Sequence, residues 1–490
     1  MAFAFDFKRI AFPILATAAT ALLVWFGTGL NPLWPLLWFA PLPILLVASR
    51  NSAWVAALIA TAAWSLGNLN RDHYYATSLQ VPLVGRIVIV LGQALVFALA
   101  VVLYRALLRR GAPWCALVAF PAVWVAFEYI FNLTSVHGTA ISLSYSQLNF
   151  LPILQLASVT GPWGISFVLL AFSSALAIGV SLRKTHPRRA IQIVAATLGT
   201  IALVLVFGAV RLALPPPPNQ QVKVGLVASD AGPNKRVAAP GEPTSRLLND
   251  YAAQAVALSA RGAQVIVLPE HLGEITDAQV PAIDAIFQPI ADKSGSTIVV
   301  GVGHESQRDP RNQARIYAPH EAVALYNKHH LLPPWESRFT PGTTLTTLPE
   351  TNTKWGVAIC KDMDFIHPAL DYGRAGIDLL LDPAWDFQID RGFHGHIAIM
   401  RGVEGGYAIA HAAKLGYLTV TDDRGRILAE TRTDSAPFAS LLVDVPLHHD
   451  RTLFDRYGTW FPKLAGLLLL AAILRLFIAP RLPATRAPTH

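Results

Sequence analysis

The sequence predicts a polytopic α-helical membrane bundle of about eight spans, with an α/β sandwich domain inserted before the last span. Three observations carry this. The 490 residues are 53% hydrophobic and only 14% charged, with a mean hydropathy of +0.42, where a soluble chain carries roughly a quarter charged residues. Seven apolar runs fall within the first 214 positions and an eighth lies near the end. Between them stands a stretch in which short β-branched runs alternate with amphipathic helical patterns. The 12 Trp and 23 Phe also exclude a disordered or coiled-coil chain, which would be poor in aromatics and rich in charge.

Crossing about 30 Å of hydrocarbon takes about 20 apolar residues. The runs cover approximately 10–30, 33–48, 53–69, 81–108, 113–131, 164–182, 190–214 and 460–478. Lys8 and Arg9 ahead of the first run also suit a signal peptide, but further spans follow at once, so the run reads as an uncleaved helix. Basic residues occupy alternate connections: Lys8 and Arg9, Arg50, Arg109 and Arg110, then Arg183, Lys184, Arg188 and Arg189, with Arg481 and Arg486 in the tail. Arg71 and Arg86 are exceptions to the alternation. Positive charge in short loops marks the cytoplasmic side. Both termini are therefore expected in the cytoplasm, and the inserted domain on the periplasmic side of a bacterial inner membrane. The formal charge of +8 gathers on no soluble face, so no nucleic-acid partner is expected. Glu128 lies inside the fifth run, where an ionisable group marks function by default or, near the outer end of the span, is simply hydrated.

The domain boundaries follow from these shifts. A membrane domain occupies 1–214 and a Pro-rich linker 215–220, opening with Pro215 to Pro218. Proline has no amide donor, so this run ends the seventh helix and stiffens the connection. The inserted domain spans 221–446, a second linker 447–459, the eighth span 460–479 and a cytoplasmic tail 480–490. Within the inserted domain VKVGLVAS precedes a helix near 246–261, then QVIVLPE, a helix near 278–293, and STIVVGVG. EAVALYNK, KWGVAIC, IDLLLDPA, a helix from about 393 to 405, YAIAHAA, YLTVTDD and SLLVDV complete it. Alternating strands and helices that give way to paired strands predict a sandwich with a buried sheet.

Three polar residues stand at the ends of predicted strands: Glu270 after VIVLP, Lys328 after ALYN and Cys360 after WGVAI. Strand ends feeding loops hold catalytic groups rigidly. Singly, a Glu or a Lys is a solvated charge and such a Cys a small buried hydrophobe. In this order, with LPE, YNKHHLLP, AIC and then RGVEG containing Arg401 and Glu404, the domain resembles the nitrilase, or carbon-nitrogen hydrolase, superfamily. The resemblance implies an αββα sandwich and a Glu-Lys-Cys triad. Cys360 would attack an ester or amide carbonyl as the thiolate and form a thioester. Glu270 would take the thiol proton and later deprotonate the incoming nucleophile. Lys328, with the backbone N–H after Cys360, would stabilise the oxyanion, and its charge would favour the thiolate. Glu336, eight residues beyond Lys328, would orient Lys328 or an acceptor amine, or stand as a loop-surface charge.

The membrane half carries a second resemblance. FPAVWVAFEYI at Phe120 to Ile130 and SLSYSQLNFLPILQLASVTGPWGISF at Ser142 to Phe167 are similar to the apolipoprotein N-acyltransferase family, the membrane-bound branch of that superfamily. This implies a phospholipid acyl donor, an acyl-Cys360 intermediate and an acceptor amine on the diacylglyceryl-cysteine of a bacterial lipoprotein, with no cofactor. The chain departs from the family pattern at three places. Lys361 and Asp362 follow Cys360 in place of a Tyr and an acidic residue. The loop after Lys328 reads LPPWES, running through Pro334, Trp335 and Ser337, in place of a sequence close to VPFGEY, and ASDAGPN at 228–234 replaces a Gln-Gly-Asn stretch and a Trp. These changes touch the pocket, which makes Lys361 and Trp335 candidate substrate-binding residues. They also leave open a membrane-anchored amidase, an acyltransferase for a different amine, and a non-catalytic binding module. The histidine pairs at His329 and His330, His394 and His396, and His448 and His449 have no acidic or Cys ligand at helical spacing, so no metal site is expected. Two cysteines far apart exclude a disulfide framework, and Cys115, inside a span, reads as a packing residue.

Overall fold

The computed structural model describes residues 7–214, 220–350 and 353–478. The Pro215 to Pro218 run and the tail at 480–490 lie outside the described residues.

Helices occupy all eight apolar runs. They are α1 (Phe7–Gly27), α2 (Trp34–Phe39) with α3 (Leu42–Ala48), α4 (Ala53–Asn68), α5 (Leu83–Arg109), α6 (Pro113–Thr134), α7 (Pro162–Leu182) and α8 (Pro187–Ala213), with a last helix at Trp460–Ile478. The second run is not one helix, because Pro41 and Pro43 withhold the amide donors that a continuous helix would use. Among the described residues five helices, α5 to α8 and the last one, are long and apolar enough by themselves to cross a membrane. The second and third runs form broken or shorter helices, and α1 packs against both. On α5, Val84, Val88, Leu91, Leu95 and Leu99 are exposed while Val90, Ala94, Phe97 and Val101 are buried. An apolar outward face of this length belongs in lipid.

The segment between α6 and α7 folds into a platform rather than a plain connection. It contains a 3₁₀ turn at Leu143–Gln147 and short helices at Leu151–Leu154 and Ala157–Thr160. Glu128 fixes it, accepting hydrogen bonds from the Leu143 N–H (2.8 Å), Ser166 (2.9 Å), Ser142 (3.2 Å) and the Trp124 indole (2.9 Å). With 2% exposure it is neither hydrated nor open to a ligand. Its four donors give it a structural role.

The inserted domain is built from thirteen strands: β1 (Gln221–Ala228), β2 (Val265–Val267), β3 (Glu274–Thr276), β4 (Thr297–Glu305), β5 (Arg311–Tyr317), β6 (Ala324–Asn327), β7 (Thr346–Glu350), β8 (Thr353–Val357), β9 (Leu379–Trp385), β10 (Ala408–Lys414), β11 (Tyr417–Thr421), β12 (Ile427–Arg432) and β13 (Ala439–Pro446). One sheet has the order β13-β1-β2-β4-β5-β6, with β3 also on β4, and the other β12-β11-β10-β9-β8-β7. Their centres are parallel, β1-β2-β4 and β8-β9-β10. Parallel strands need both faces covered. The inner faces meet through Val224, Leu226, Val267, Val357, Leu379 and Leu381. Outside the first sheet lie α9 (Glu242–Ala260) and α10 (Val280–Ser294). Outside the second lie α10's counterparts α11 (Ala369–Ala375) and α12 (Phe393–Gly405), which completes an αββα sandwich.

Helix α12 joins the two halves of the molecule. Ala398 belongs to the sandwich core, while Ile397, Ile399, Met400 and Val403 pack into the core of the membrane bundle. The stretch at 447–459 is no free linker either. Thr452 caps a short helix at Leu453–Tyr457 through the Asp455 N–H (2.9 Å), Phe454 is buried against Trp163, and Asp450 pairs with Arg211 of α8 at 2.8 Å. Apolar burial at Phe454 outweighs the polar character that the sequence shows there.

Candidate active site

Strand β8 delivers Cys360 to a conformation that side chains rarely adopt. Its φ is +47°, in the left-handed region, and it opens a 3₁₀ turn at Cys360–Asp364. Two carboxylates hold this backbone. Asp362 accepts from the Ile359 N–H (3.1 Å), the Tyr326 hydroxyl (2.7 Å) and the N–H groups of His329 (3.1 Å) and His330 (2.8 Å), which ties the cysteine turn to the loop after Lys328. Asp382 on β9 accepts from the Cys360 N–H (2.8 Å) and bonds His411 Nδ1 on β10 (2.7 Å). Burial works against a charge on His411, but Asp382 and Asp386 outweigh it and push its pKa up to about 10. The thiol faces the Trp385 carbonyl at 3.6 Å.

Glu270 reaches the same region from the other sheet. Its N–H donates to the Ala384 carbonyl (3.3 Å), one residue before Trp385. Gly301 on β4 leaves room for this bend, since a Cβ there would collide with the Pro269 carbonyl oxygen. Lys328 follows β6, and its ammonium donates to Glu270 (2.7 Å) and to both oxygens of Glu336 (2.9 and 3.1 Å). Asn312 on β5 donates to Glu270 (2.6 Å) and to Glu336. The Leu332 N–H also donates to Glu336 (2.6 Å). Glu336 is 7% exposed, so the surface-charge reading of it is wrong: the loop folds back and buries it against Lys328.

Two carboxylates share one ammonium, and their acidities diverge. Burial pushes Glu270 up to about 7, with Lys328 opposing and the charge of Glu336 reinforcing. Burial also works against the charge of Glu336, but Lys328 and its other donors hold that carboxyl below its ordinary value. Lys328 is raised well above a normal lysine by the two carboxylates, against its burial. Burial and the charge of Glu270 push the Cys360 thiol well up, with Lys328 pulling it down. At neutral pH the site therefore holds a thiol, a permanent cation and a carboxyl near its midpoint.

The other residues singled out in the sequence lie elsewhere. Arg401 and Glu404 form a buried ion pair (3.0 Å), and Arg401 also donates to the Tyr145 hydroxyl (3.1 Å) of the membrane platform. They hold α12 to the bundle. Lys361 is 2% exposed, 3.2 Å from His137 Nδ1 and 3.8 Å from Asp364, and burial pushes its ammonium down. Trp335 is half exposed, with its indole on the Ser78 carbonyl of the membrane half (3.3 Å). Asn312, Asp382 and His411 escaped the sequence reading, and Asp362 was named there only as the neighbour of Lys361, not as the anchor of the turn. Asp382, a charge inside the apolar run IDLLLDPA, was the one visible signal. Cys360, Asp386 and His394 each place a ligand atom within 4.8 Å of one another, from three separate elements rather than at helical spacing. Thiolate, carboxylate and imidazole suit a zinc-like cation, and such an ion would occupy the thiol itself.

Comparison with known proteins agrees with both halves of this architecture. The family model of the apolipoprotein N-acyltransferase N-terminal domain matches residues 20–175, and that of carbon-nitrogen hydrolase matches residues 232–438. The chain is thus similar in its two halves to an apolipoprotein N-acyltransferase N-terminal domain and to a carbon-nitrogen hydrolase domain. An apolipoprotein N-acyltransferase of Geobacter metallireducens is 26% identical over 76% of this chain and 77% of its own length. That of Shewanella oneidensis is 26% identical over 77% of this chain and 79% of its own. Among solved structures, an amidase from Nesterenkonia sp. aligns with 50% of this chain and 95% of its own, at 21% identity and a TM-score of 0.42.

Proposed function

We propose that the protein transfers a fatty acyl group from a phospholipid to the N-terminal amine of a diacylglyceryl-cysteine on bacterial lipoproteins, through a thioester on Cys360. The observation that carries the proposal is the Lys328 ammonium clamped between Glu270 and Glu336 beside a thiol on a strained turn, in a domain docked on apolar helices. The names of the relatives support the same reaction.

In the first half-reaction Glu270 takes the thiol proton and the sulfur attacks the donor ester carbonyl. The Lys328 ammonium and the Lys361 backbone N–H face the oxyanion. Collapse of the tetrahedral adduct expels the lysophospholipid alkoxide, which takes the proton from Glu270. In the second half-reaction the neutral amine attacks the thioester, Glu270 accepts its proton, and the thiolate leaves. The domain faces the periplasm in this reading, because Arg50, Arg109, Arg110 and the basic cluster at Arg183 to Arg189 lie in the alternate connections.

Intact mass of the purified protein after incubation with phospholipid tests the first half-reaction. A fatty-acyl increment on the wild type, absent from Cys360→Ala, is expected. An increment that survives Cys360→Ala, or none on either protein, would contradict the proposal.

A further inference from the structure

Arg71 breaks the charge pattern of the membrane half and is unaccounted for by the triad. It ends the 3₁₀ turn Leu69–Arg71 after α4, in a connection on the catalytic side of the bundle. It is 9% exposed, and its buried Nε has no hydrogen-bond partner among the described residues. The neighbouring carboxylate, Asp72, is taken by Arg86. A buried guanidinium without an anion is costly, and arginine's planar fork matches phosphate oxygens.

Arg71 lines a cavity of about 210 Å³ together with Lys361, His137, Asp364 and His394. Of the lining side chains other than histidines, Arg71 and Lys361 are cationic and Asp364 alone is anionic. The remaining walls carry Tyr74, Tyr75 and Ser135 and are otherwise apolar, including Ile89 of α5 and Phe131 of α6. Beyond Ile89, α5 turns Val88 and Leu91 outward. The space admits a phosphodiester head but not two acyl chains, which would run out along these apolar helix faces. His394 connects the cavity to the chemistry, since its imidazole also belongs to the group within 4.8 Å of the Cys360 sulfur and Asp386.

We infer that Arg71, with Lys361, binds the phosphodiester of the donor phospholipid and so sets the donor's ester carbonyl beside Cys360. This rests on the acyltransferase reading above. Phosphate recognition is the shared chemistry of a lipid head and of free phosphate, and the apolar walls favour the lipid.

The test measures acyl-Cys360 formation by intact mass in the full-length protein, for wild type, Arg71→Gln and Arg71→Lys. Phosphatidylglycerol in mixed micelles is compared with a phosphate-free donor, a long-chain p-nitrophenyl ester. Arg71→Gln is expected to need at least about tenfold more phospholipid for half-maximal loading, the scale of a lost charge-assisted pair. Arg71→Lys should fall between, and both variants should load from the phosphate-free ester like the wild type, which also shows that they fold. Unchanged phospholipid dependence in Arg71→Gln, or an equal loss with both donors, would overturn the inference alone. Inhibition by inorganic phosphate that disappears in Arg71→Gln, without a change in phospholipid dependence, would assign the site to free phosphate and overturn the lipid assignment. A wild type that loads from neither donor would overturn the acyltransferase reading, and this inference with it.

Discussion

At neutral pH burial holds Cys360 as the thiol and Glu270 near the midpoint of its titration. Because burial lifts the Glu270 carboxyl to about 7, the rate of Cys360 acylation should rise with pH through about 7, as Glu270 loses its proton and becomes a base. Glu270→Gln should remove that limb and lower the rate by roughly 10²- to 10⁴-fold; stopped-flow acylation across pH 5 to 9, about the span in which such groups titrate, checks both. The charge of Glu336 raises Glu270, so Glu336→Gln should move the limb to lower pH. An unmoved limb would show that Glu336 does not act on the base. Glu270, Lys328 and Cys360 were legible in the sequence because each ends an apolar run. Asn312, Asp382 and His411 were not, because each is a polar residue inside a strand whose partner comes from a distant element, and the hold of Asp362 on the loop after Lys328 was equally hidden.

At the scale of elements, α12 carries the junction between chemistry and membrane. Its bounds, Phe393–Gly405, match the helix expected from the sequence, and most of its length is buried, Arg401 and Glu404 included. Arg401 and Glu404 were legible as part of the same motif, but their role was not. They are a fully buried pair that meets Tyr145 across the domain boundary. Burial pushes Glu404 up to about 8 against the pull of Arg401, so removing Arg401 leaves a buried, protonated carboxyl without its partner, which costs about 1–3 kcal/mol. Arg401→Ala should therefore lower the thermal unfolding temperature of the detergent-solubilised protein, while the pH limb of acylation in the folded fraction stays where it is. A shifted limb at unchanged stability would instead place Arg401 at the reacting centre. The break between α2 and α3 was hidden for the opposite reason. Hydropathy counts Pro41 and Pro43 as nearly neutral, whereas the missing amide donors decide the backbone.

For the whole molecule, the sequence showed two halves of different composition, and the structure shows how they are locked together. Arg211 of α8 pairs with Asp450, Thr139 of the platform donates to the Asp364 carbonyl at 2.6 Å, and Trp335 reaches Ser78. None of these contacts was visible in the sequence, because each joins residues hundreds of positions apart or across the two halves. Their common effect is to lock the domain that carries the cysteine turn to the membrane half. The central claim is that an amine, rather than water, resolves the thioester formed there. It is tested most directly by isolating the acyl-enzyme and adding a diacylglyceryl-cysteine peptide, then following both species by mass. The account predicts loss of the acyl group from Cys360 with a matching gain as an amide on the peptide's α-amine. Release as free fatty acid, with the peptide unchanged, would contradict it.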